Sequence, residues 1–171
     1  MSATDQRVDA AAMRRTLGRF TTGVTVVTTA QRGEVHAMTA NAFTSVSLDP
    51  PLVLVSVDHR TKMHKLLPGT RRYGVSVLAR EQERVAWHFA GRPLKEPGDL
   101  FEWAGEIPFV RGAIAHVGCS LYAAHEAGDH TLYLGLVEYL HNRPGDPLLF
   151  HGGSFGRMSP EEELLAATWG W

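Results

Sequence analysis

Residues 36–57 read H-A-M-T-A-N-A-F-T-S-V-S-L-D-P-P-L-V-L-V-S-V, and their pattern decides the fold. The last six residues, 52–57, form a nearly continuous apolar run, which is typical of a strand buried on both faces. Residues 41–48 are also β-prone but carry small hydroxyl side chains. The two stretches are separated by Asp49-Pro50-Pro51, because proline cannot donate a hydrogen bond to a strand ladder. We therefore predict a buried strand over 52–57 and a sharp break between it and the β-prone stretch 41–48.

Further strand patterns lie on both sides of this segment. They are β-branched runs or stretches in which apolar residues alternate with others. In residues 113–124, Val117 and Cys119 share one face, and His116 and Gly118 share the other. With the run at 52–57, and with the β-prone stretch 41–48 left uncounted, the total is roughly six or seven strands. We predict these further strands over residues 23–29, 35–39, 73–78, 113–124, 131–140 and 148–151.

Helical patterns are few and short. We predict a helix N-capped by Asp9, one or two turns over residues 62–67 that end at Pro68-Gly69, and a helix over 80–90. In the last helix Val85, Ala86 and Phe89 face inward. Residues 91–107 are the longest irregular stretch, which indicates either disorder or a functional cover. Because regular helices do not separate the strands, the pattern favours a mainly antiparallel barrel with appended helices over a doubly wound parallel sheet.

Composition bounds the class of protein. The 171 residues predict a single domain over residues 1–171, with tails at 1–8 and 158–171. The 17 basic and 18 acidic residues leave a net charge of −1, which argues against a nucleic-acid partner. No apolar run is long enough for a membrane span. The single cysteine, Cys119, and a polar N-terminus lead us to expect a cytoplasmic protein.

Several catalytic motifs are considered and set aside. Residues 152–156 match G-x-S-x-G, but no histidine follows Ser154 to complete a triad. The pairs His59/His64 and His125/His130 are five residues apart, whereas two ligands on one helical face need a spacing of four. We therefore expect no metal site. Cys119 lies on the apolar face of its strand, which favours a core residue over a nucleophile.

Two segments carry more polar groups than a scaffold needs. Residues 37–47 hold small polar side chains on both faces, which suits a planar ligand with many hydrogen bonds and a phosphate tail. An edge strand with a solvated face has the same composition. Gly128-Asp129 is a turn signal that puts His130 at the mouth of the next strand. There it is either a ligand contact or a simple turn histidine.

Together these segments resemble the short-chain flavin reductase family, the reductase components of two-component flavin monooxygenases. The resemblance runs from about residue 20 to 155 and is carried by G-V-T-V-V-T-T at 23–29, by residues 36–57 and by Gly128-Asp129-His130. It implies a mainly β, FMN-binding split β-barrel with a Greek-key core and a few short helices. It also implies a homodimer, and FMN (or FAD) reduced by NADH or NADPH. The reduced flavin then passes to a partner flavin-dependent oxygenase.

The resemblance also implies a set of site residues. Residues 38–41 lie along the flavin ring, 45–47 contact the ring and the ribityl-phosphate side, and the turn at 58–62 assists the phosphate. His130, the catalytic residue of the set, lies over the flavin and positions the nicotinamide. The implied flavin contacts are Met38, Thr39, Ala40, Asn41, Ser45, Val46, Ser47, His59, Arg60, Thr61, Phe89, Ala90, Gly91 and His130.

The chain departs from the family pattern at two positions. Residues 153–156 read G-S-F-G where an arginine and a tyrosine are common, and Ser76 replaces a common asparagine. Both departures bear on the nicotinamide contacts more than on the flavin site. Two alternative functions stay open at this point. One is a flavin-barrel oxidase or reductase with a substrate of its own, and the other is a flavin- or haem-binding module without turnover.

Overall fold

The computed structural model describes residues 8–158, so the predicted tails lie almost wholly outside the described residues. Within them, a β-rich chain carries three α-helices and one 3-10 turn at Arg80–Gln82. The helices are α1 (Ala10–Leu17), α2 (Lys62–Thr70) and α3 (Glu83–Phe89). The strands are β1 (Thr22–Gly23), β2 (Thr25–Gln31), β3 (Glu34–Ala40), β4 (Phe43–Leu48), β5 (Pro51–Asp58), β6 (Arg72–Val77), β7 (Phe101–Ala104), β8 (Ile107–Val110), β9 (Ala115–Ala127), β10 (His130–Asn142), β11 (Leu149–His151) and β12 (Ser154–Gly156).

Seven strands form one antiparallel sheet in the order β3-β2-β6-β9-β10-β5-β4. β3 and β4 occupy opposite edges of this sheet, yet only Asn41 and Ala42 separate them along the chain. The Ser56 amide donates to the Ala42 carbonyl at 3.0 Å. The sheet must therefore curl until its two edges approach one another, which makes an open, split barrel. The predicted mainly β barrel fold is confirmed.

The barrel interior is the first of two hydrophobic cores. Its valines come from β2, β5, β6 and β9, and Tyr133 of β10 lies fully among them. Met63 and Leu67 of α2 are buried in the same cluster. At roughly 1.5–3 kcal/mol for each large apolar side chain buried, these two residues are enough to fix α2 against the barrel.

The second core lies outside the barrel, between α3, the β7–β8 hairpin and the small sheet β1-β11-β12. Ala86 is fully buried there, and Val85 and Phe89 are packed against it, as predicted for the inward face of this helix. Phe150 and Phe155 of the small sheet contribute their rings to the same cluster. This second core sets the position of α3 beside the end of β3.

Helix α2 does not end at Pro68-Gly69 as predicted but continues to Thr70. Proline lacks the N–H that would bond the carbonyl four residues earlier, which here belongs to His64. The Tyr133 hydroxyl donates to that carbonyl at 3.3 Å and lies 2.9 Å from His64 Nδ1. A side chain from β10 thus supplies the hydrogen bond that the proline cannot make.

The segment predicted to be irregular contains a hairpin. Residues 101–104 and 107–110 form β7 and β8, which pair with each other, and residues 91–100 and the two-residue turn at 105–106 lack regular strand or helix. The hairpin covers the second face of β9. His116 is therefore buried and stacks on Phe109, with ring centroids 4.7 Å apart, and Gly118 is buried beside it. No helix in residues 8–158 is long and apolar enough to cross a membrane.

Candidate active site

An apolar cavity of about 240 Å³ opens where β3 ends. The strand end contributes Thr39, Ala40 and Asn41. Two aromatic side chains stand opposite, Trp87 from α3 and Phe155 from β12, in an edge-to-face arrangement with ring centroids 5.0 Å apart. The remaining lining residues are Val24, Ala90, Phe150 and Gly153. The cavity suits a flat ring held between aromatic walls.

Two polar side chains at this cavity differ in whether they are free to hydrogen-bond a ligand. The Thr39 hydroxyl donates to the Ala86 carbonyl at 2.7 Å, so it ties β3 to α3 and is not free to donate to a ligand. Among the residues that the structure describes, the Asn41 side chain makes no hydrogen bond. Asn41 is therefore the side chain at the cavity rim that is able to bond a ring edge.

The turn after β5 holds a compact ion pair. The Arg60 guanidinium donates to both carboxylate oxygens of Asp58, at 2.6–3.1 Å, and the Arg60 amide donates to the same group at 2.8 Å. These hydrogen bonds from Arg60 hold the pKa of Asp58 well below its usual range. Thr61 is the N-cap of α2 and accepts from the His64 amide at 3.2 Å. The turn thus presents cations at a helix N-terminus, an arrangement that favours anions.

His59 is not among the lining residues of the cavity. Its Nε2 lies 3.0 Å from Glu126 Oε2 and 3.1 Å from the Thr131 hydroxyl. These contacts fasten the turn to the β9–β10 hairpin. We therefore expect His59 to position the turn and not to contact a ligand with Nε2.

His130 begins β10 and lies opposite Asp58 in the β5–β10 ladder. Its Nδ1 is 2.7 Å from Asp129 Oδ1. A carboxylate only accepts, so Nδ1 carries the hydrogen and Nε2 remains for a ligand. The hydrogen bond from His130 lowers the pKa of Asp129. The pair orients the ring at the mouth of the strand.

Backbone pairing brings these groups to one end of the barrel. Ala42, which follows Asn41, bonds Ser56, two residues before Asp58, and Asp58 in turn faces His130. The start of α2 lies nearer the middle of β3, where burial and then the charge of Lys62 lower the pKa of His36. The end of β3, the Asp58–Arg60 turn and His130 are thus neighbours, although 90 residues of chain separate the first from the last.

Other predicted contacts lie outside this cavity. Ser45 and Val46 are exposed on the edge strand β4, where the pairing with β5 shifts register between Ser45 and Ser47. The Met38 side chain packs into the barrel interior. Phe89 packs on Phe101 in the second core, so on this turn only Ala90 lines the cavity and Gly91 follows it.

Sequence reasoning missed the aromatic walls. Trp87, Phe150 and Phe155 are isolated aromatic residues in three different elements, and no local pattern joins them. The departure from the family pattern at residues 153–156 was the one signal, since Phe155 lies within it. In residues 8–158 no group of three or more His, Cys, Asp or Glu side chains is arranged to hold a metal ion.

The fold and the cavity define a split-barrel protein with an aromatic-walled cleft at the end of β3. Residues 17–159 match the model of the flavin reductase-like domain, so the chain belongs to that family, and the predicted resemblance is confirmed.

Named relatives and solved structures agree with this assignment. An NADH-dependent flavin reductase of a Rhodococcus species is 48% identical over 170 residues, which cover 98% of this chain and 94% of that protein. The reductase component of 4-hydroxyphenylacetate 3-monooxygenase from Thermus thermophilus is 41% identical over 86% of this chain and 95% of its own. A solved flavin reductase in its native state has a TM-score of 0.85 and 41% identity, over 89% of this chain and 99% of that one.

Proposed function

We propose that this protein is an NADH-dependent flavin reductase that supplies reduced flavin to a separate flavin-dependent monooxygenase. The reaction is NADH + H⁺ + FMN → NAD⁺ + FMNH₂, in which the hydride comes from the nicotinamide and the proton from solvent. The observation that carries the proposal is the aromatic-walled cavity beside Thr39, Ala40 and Asn41, in a chain nearly half identical to an NADH-dependent flavin reductase.

The cavity provides the place for the reacting rings. Trp87 and Phe155 offer apolar faces, and Asn41 offers a free amide at the rim. We assign the backbone amides of residues 39–41 to the edge of the flavin that gains negative charge on reduction, because fixed donors stabilise developing charge. If the nicotinamide and the flavin are held with their reacting atoms about 3–3.5 Å apart, proximity accelerates the hydride transfer between them. The flavin supplies the redox chemistry.

The start of α2 provides the place for the flavin phosphate. Arg60, Lys62 and the amides of the first turn combine positive charge with free donors. A phosphate that binds here competes with Asp58 for the Arg60 guanidinium, which is 83% exposed and therefore able to turn. A single phosphate group satisfies this site, which supports FMN as the flavin.

His130 provides the contact for the nicotinamide. Its Nδ1 is held by Asp129, so the ring is oriented and Nε2 is left for a ligand. We assign to Nε2 a hydrogen bond to the nucleotide and no obligatory proton transfer. Ser45, Val46 and Ser47 stay in the proposal as contacts that a flavin makes along the edge strand.

We further propose a homodimer located in the cytoplasm. The edge strand β4 supports the dimer, because its Val46 is 48% exposed and its Leu48 is 95% exposed. Bare, apolar edge strands are normally covered in native proteins. Light scattering on the purified chain distinguishes one copy from two.

The function is tested by following the absorbance of NADH in air with the purified protein and added flavin. Oxidation of many NADH molecules per protein that depends on the added flavin is the expected result. Absence of oxidation with both FMN and FAD, despite flavin binding, identifies a binding module and contradicts the proposal. Oxidation without added flavin points to a tightly held cofactor and a different acceptor.

A further inference from the structure

A second cavity, polar and larger than the first, lies against the same helix. Its volume is about 600 Å³, within the roughly 300–1,000 Å³ usual for small-molecule sites. It is lined by Arg84 of α3 and by Pro93, Leu94, Lys95 and Glu96 of the segment that follows. None of these residues belongs to the predicted flavin site.

The two cavities share one wall. Arg84 and Trp87 are three residues apart on α3, so their side chains are neighbours on the helix surface. Trp87 lines the apolar cavity, and the Arg92 guanidinium stacks on its ring at 4.0 Å from the centroid. The residue after Arg92 is Pro93, which lines the polar cavity. The Arg92–Trp87 pair thus connects the apolar cavity with the polar one.

This wall is fixed by hydrogen bonds to the end of α3. The Arg92 amide donates to the Trp87 carbonyl at 2.9 Å, and the Gly91 amide donates to the His88 carbonyl at 3.3 Å. The Leu94 amide donates to His88 Nδ1 at 2.9 Å. The backbone at residues 91–94 is therefore tied to the end of α3, and Lys95 and Glu96 follow directly after it.

Four charged side chains lie at this wall. Within the part of the chain that the structure describes, Arg84, Arg92 and Lys95 form no ion pair, and neither does Glu96. Two cations and one carboxylate line the open polar cavity, and Arg92 lies beside it on Trp87, a set complementary to a phosphate with a neighbouring diol. Guanidinium groups donate in a fixed fork to phosphate oxygens, and a carboxylate accepts from ribose hydroxyls.

We propose that the polar cavity binds the adenosine monophosphate half of a dinucleotide whose reacting ring enters the apolar cavity. Arg92 contacts the pyrophosphate as it passes between the cavities, Arg84 and Lys95 hold its far phosphate, and Glu96 accepts from the ribose. The inference rests on the proposed function for the presence of a dinucleotide. The same half is present in NADH and in FAD.

The direct test uses 5′-AMP alone as the probe, with binding to the full chain measured by calorimetry at constant ionic strength. The wild type binds 5′-AMP, and the double variant Arg84→Ala/Lys95→Ala binds it roughly tenfold more weakly or worse, because two charge-assisted contacts are lost. The matched control is Arg14→Ala/Arg15→Ala, which removes two exposed charges from α1 and keeps wild-type affinity. Equal affinity of the wild type and the Arg84/Lys95 variant overturns the inference, and so does absence of binding.

Kinetics with shortened substrates identify the source of the AMP half. If it belongs to NADH, the Arg84/Lys95 variant raises the KM of NADH and leaves that of reduced nicotinamide mononucleotide unchanged. If it belongs to FAD, the variant raises the KM of FAD and leaves that of FMN unchanged. If the variant and the wild type have the same KM for each of the four substrates, the inference is overturned. A wild type that binds 5′-AMP through Arg84 and Lys95 yet oxidises no NADH refutes the proposed function and leaves the AMP site standing.

Discussion

His130 shows how far one residue is understood from sequence and where structure takes over. The Gly128-Asp129 turn predicts its place at a strand mouth, and the structure has it there, opposite Asp58. The hydrogen bond from Nδ1 to Asp129 was not predicted, although the two residues are adjacent in the chain. That bond leaves Nε2 for the ligand, which is why we assign the histidine to the nicotinamide.

We predict that His130→Ala raises the KM of NADH about tenfold and changes the flavin dissociation constant by less than about twofold. The reason is that one hydrogen bond, worth about 0.5–1.5 kcal/mol, is lost at the nucleotide only. Steady-state kinetics and flavin titration measure the two effects. His125→Ala, an exposed histidine on the same hairpin, is the control. Equal losses for NADH and flavin contradict the assignment.

Gly135 is required by space and not by backbone conformation. A Cβ built there meets the Tyr73 hydroxyl inside contact distance and lies 2.7 Å from the Cys119 Cβ. We predict that Gly135→Ala lowers the free energy of unfolding by an amount near the upper end of about 1–3 kcal/mol, because the core must shift to admit one methyl group. Urea unfolding measures this loss. Gly23→Ala, with open space around it, costs less than half as much, and equal losses refute the packing argument.

At the scale of elements, local pattern predicted most strands, while tertiary contacts decided the exceptions. Residues 52–57 and the end of β3 were predicted from residue type alone. The extension of α2 through Pro68 was not, because its missing donor comes from Tyr133, 65 residues further along the chain. The β7–β8 hairpin was also missed, since its strands are only four residues long and lie among glycines and prolines.

We predict that Tyr133→Phe destabilises the protein by about 1–3 kcal/mol, because the part-buried His64 carbonyl loses its donor. In Pro68→Ala the new amide of residue 68 is able to bond that carbonyl within the helix. The double variant Tyr133→Phe/Pro68→Ala is therefore expected to lose less stability than Tyr133→Phe alone. A double-mutant cycle in urea measures the coupling, and strictly additive effects contradict it.

At the scale of the whole molecule, the curling of the sheet could not be predicted from local sequence pattern. The sequence shows strands but not that β3 and β4 are opposite edges, nor that three aromatic residues from separate elements meet at one cavity. The family resemblance supplied the barrel and the general site. Trp87 and the polar cavity beside it are properties of this chain that only the packed structure reveals.

Two histidines in this packing, the buried His116 and the half-buried His36, make stability depend on pH. Burial lowers the pKa of His116 and of His36 below the ordinary 6.5. A group with a lowered folded pKa contributes stability that is complete above about pH 6.5 and is lost as the pH falls through the folded value. The lowered pKa values of Asp58 and Asp129 also make the protein less stable as the pH falls, but only below about pH 3.8. The loss of stability from the histidines and the loss from the carboxylates therefore occur in separate pH ranges.

We predict that the wild type loses stability as the pH falls below about 6.5, and that His116→Gln loses less over the same range. Glutamine keeps a donor for the Val110 carbonyl, which His116 bonds at 3.0 Å, but it does not titrate. Urea unfolding at a series of pH values measures both slopes. His125→Gln, at an exposed position, keeps the wild-type slope. Identical slopes for His116→Gln and the wild type contradict the prediction.

The central claim is that this split barrel reduces flavin as a substrate and lets it go. The most direct measurement is anaerobic: the protein is mixed with a large molar excess of FMN over protein and with NADH at least equimolar to the FMN, and the absorbance of oxidised flavin is followed to completion. We predict that the whole excess is bleached, because each reduced FMN leaves and another takes its place. Bleaching that stops at one flavin per protein, or no bleaching at all, would contradict the claim.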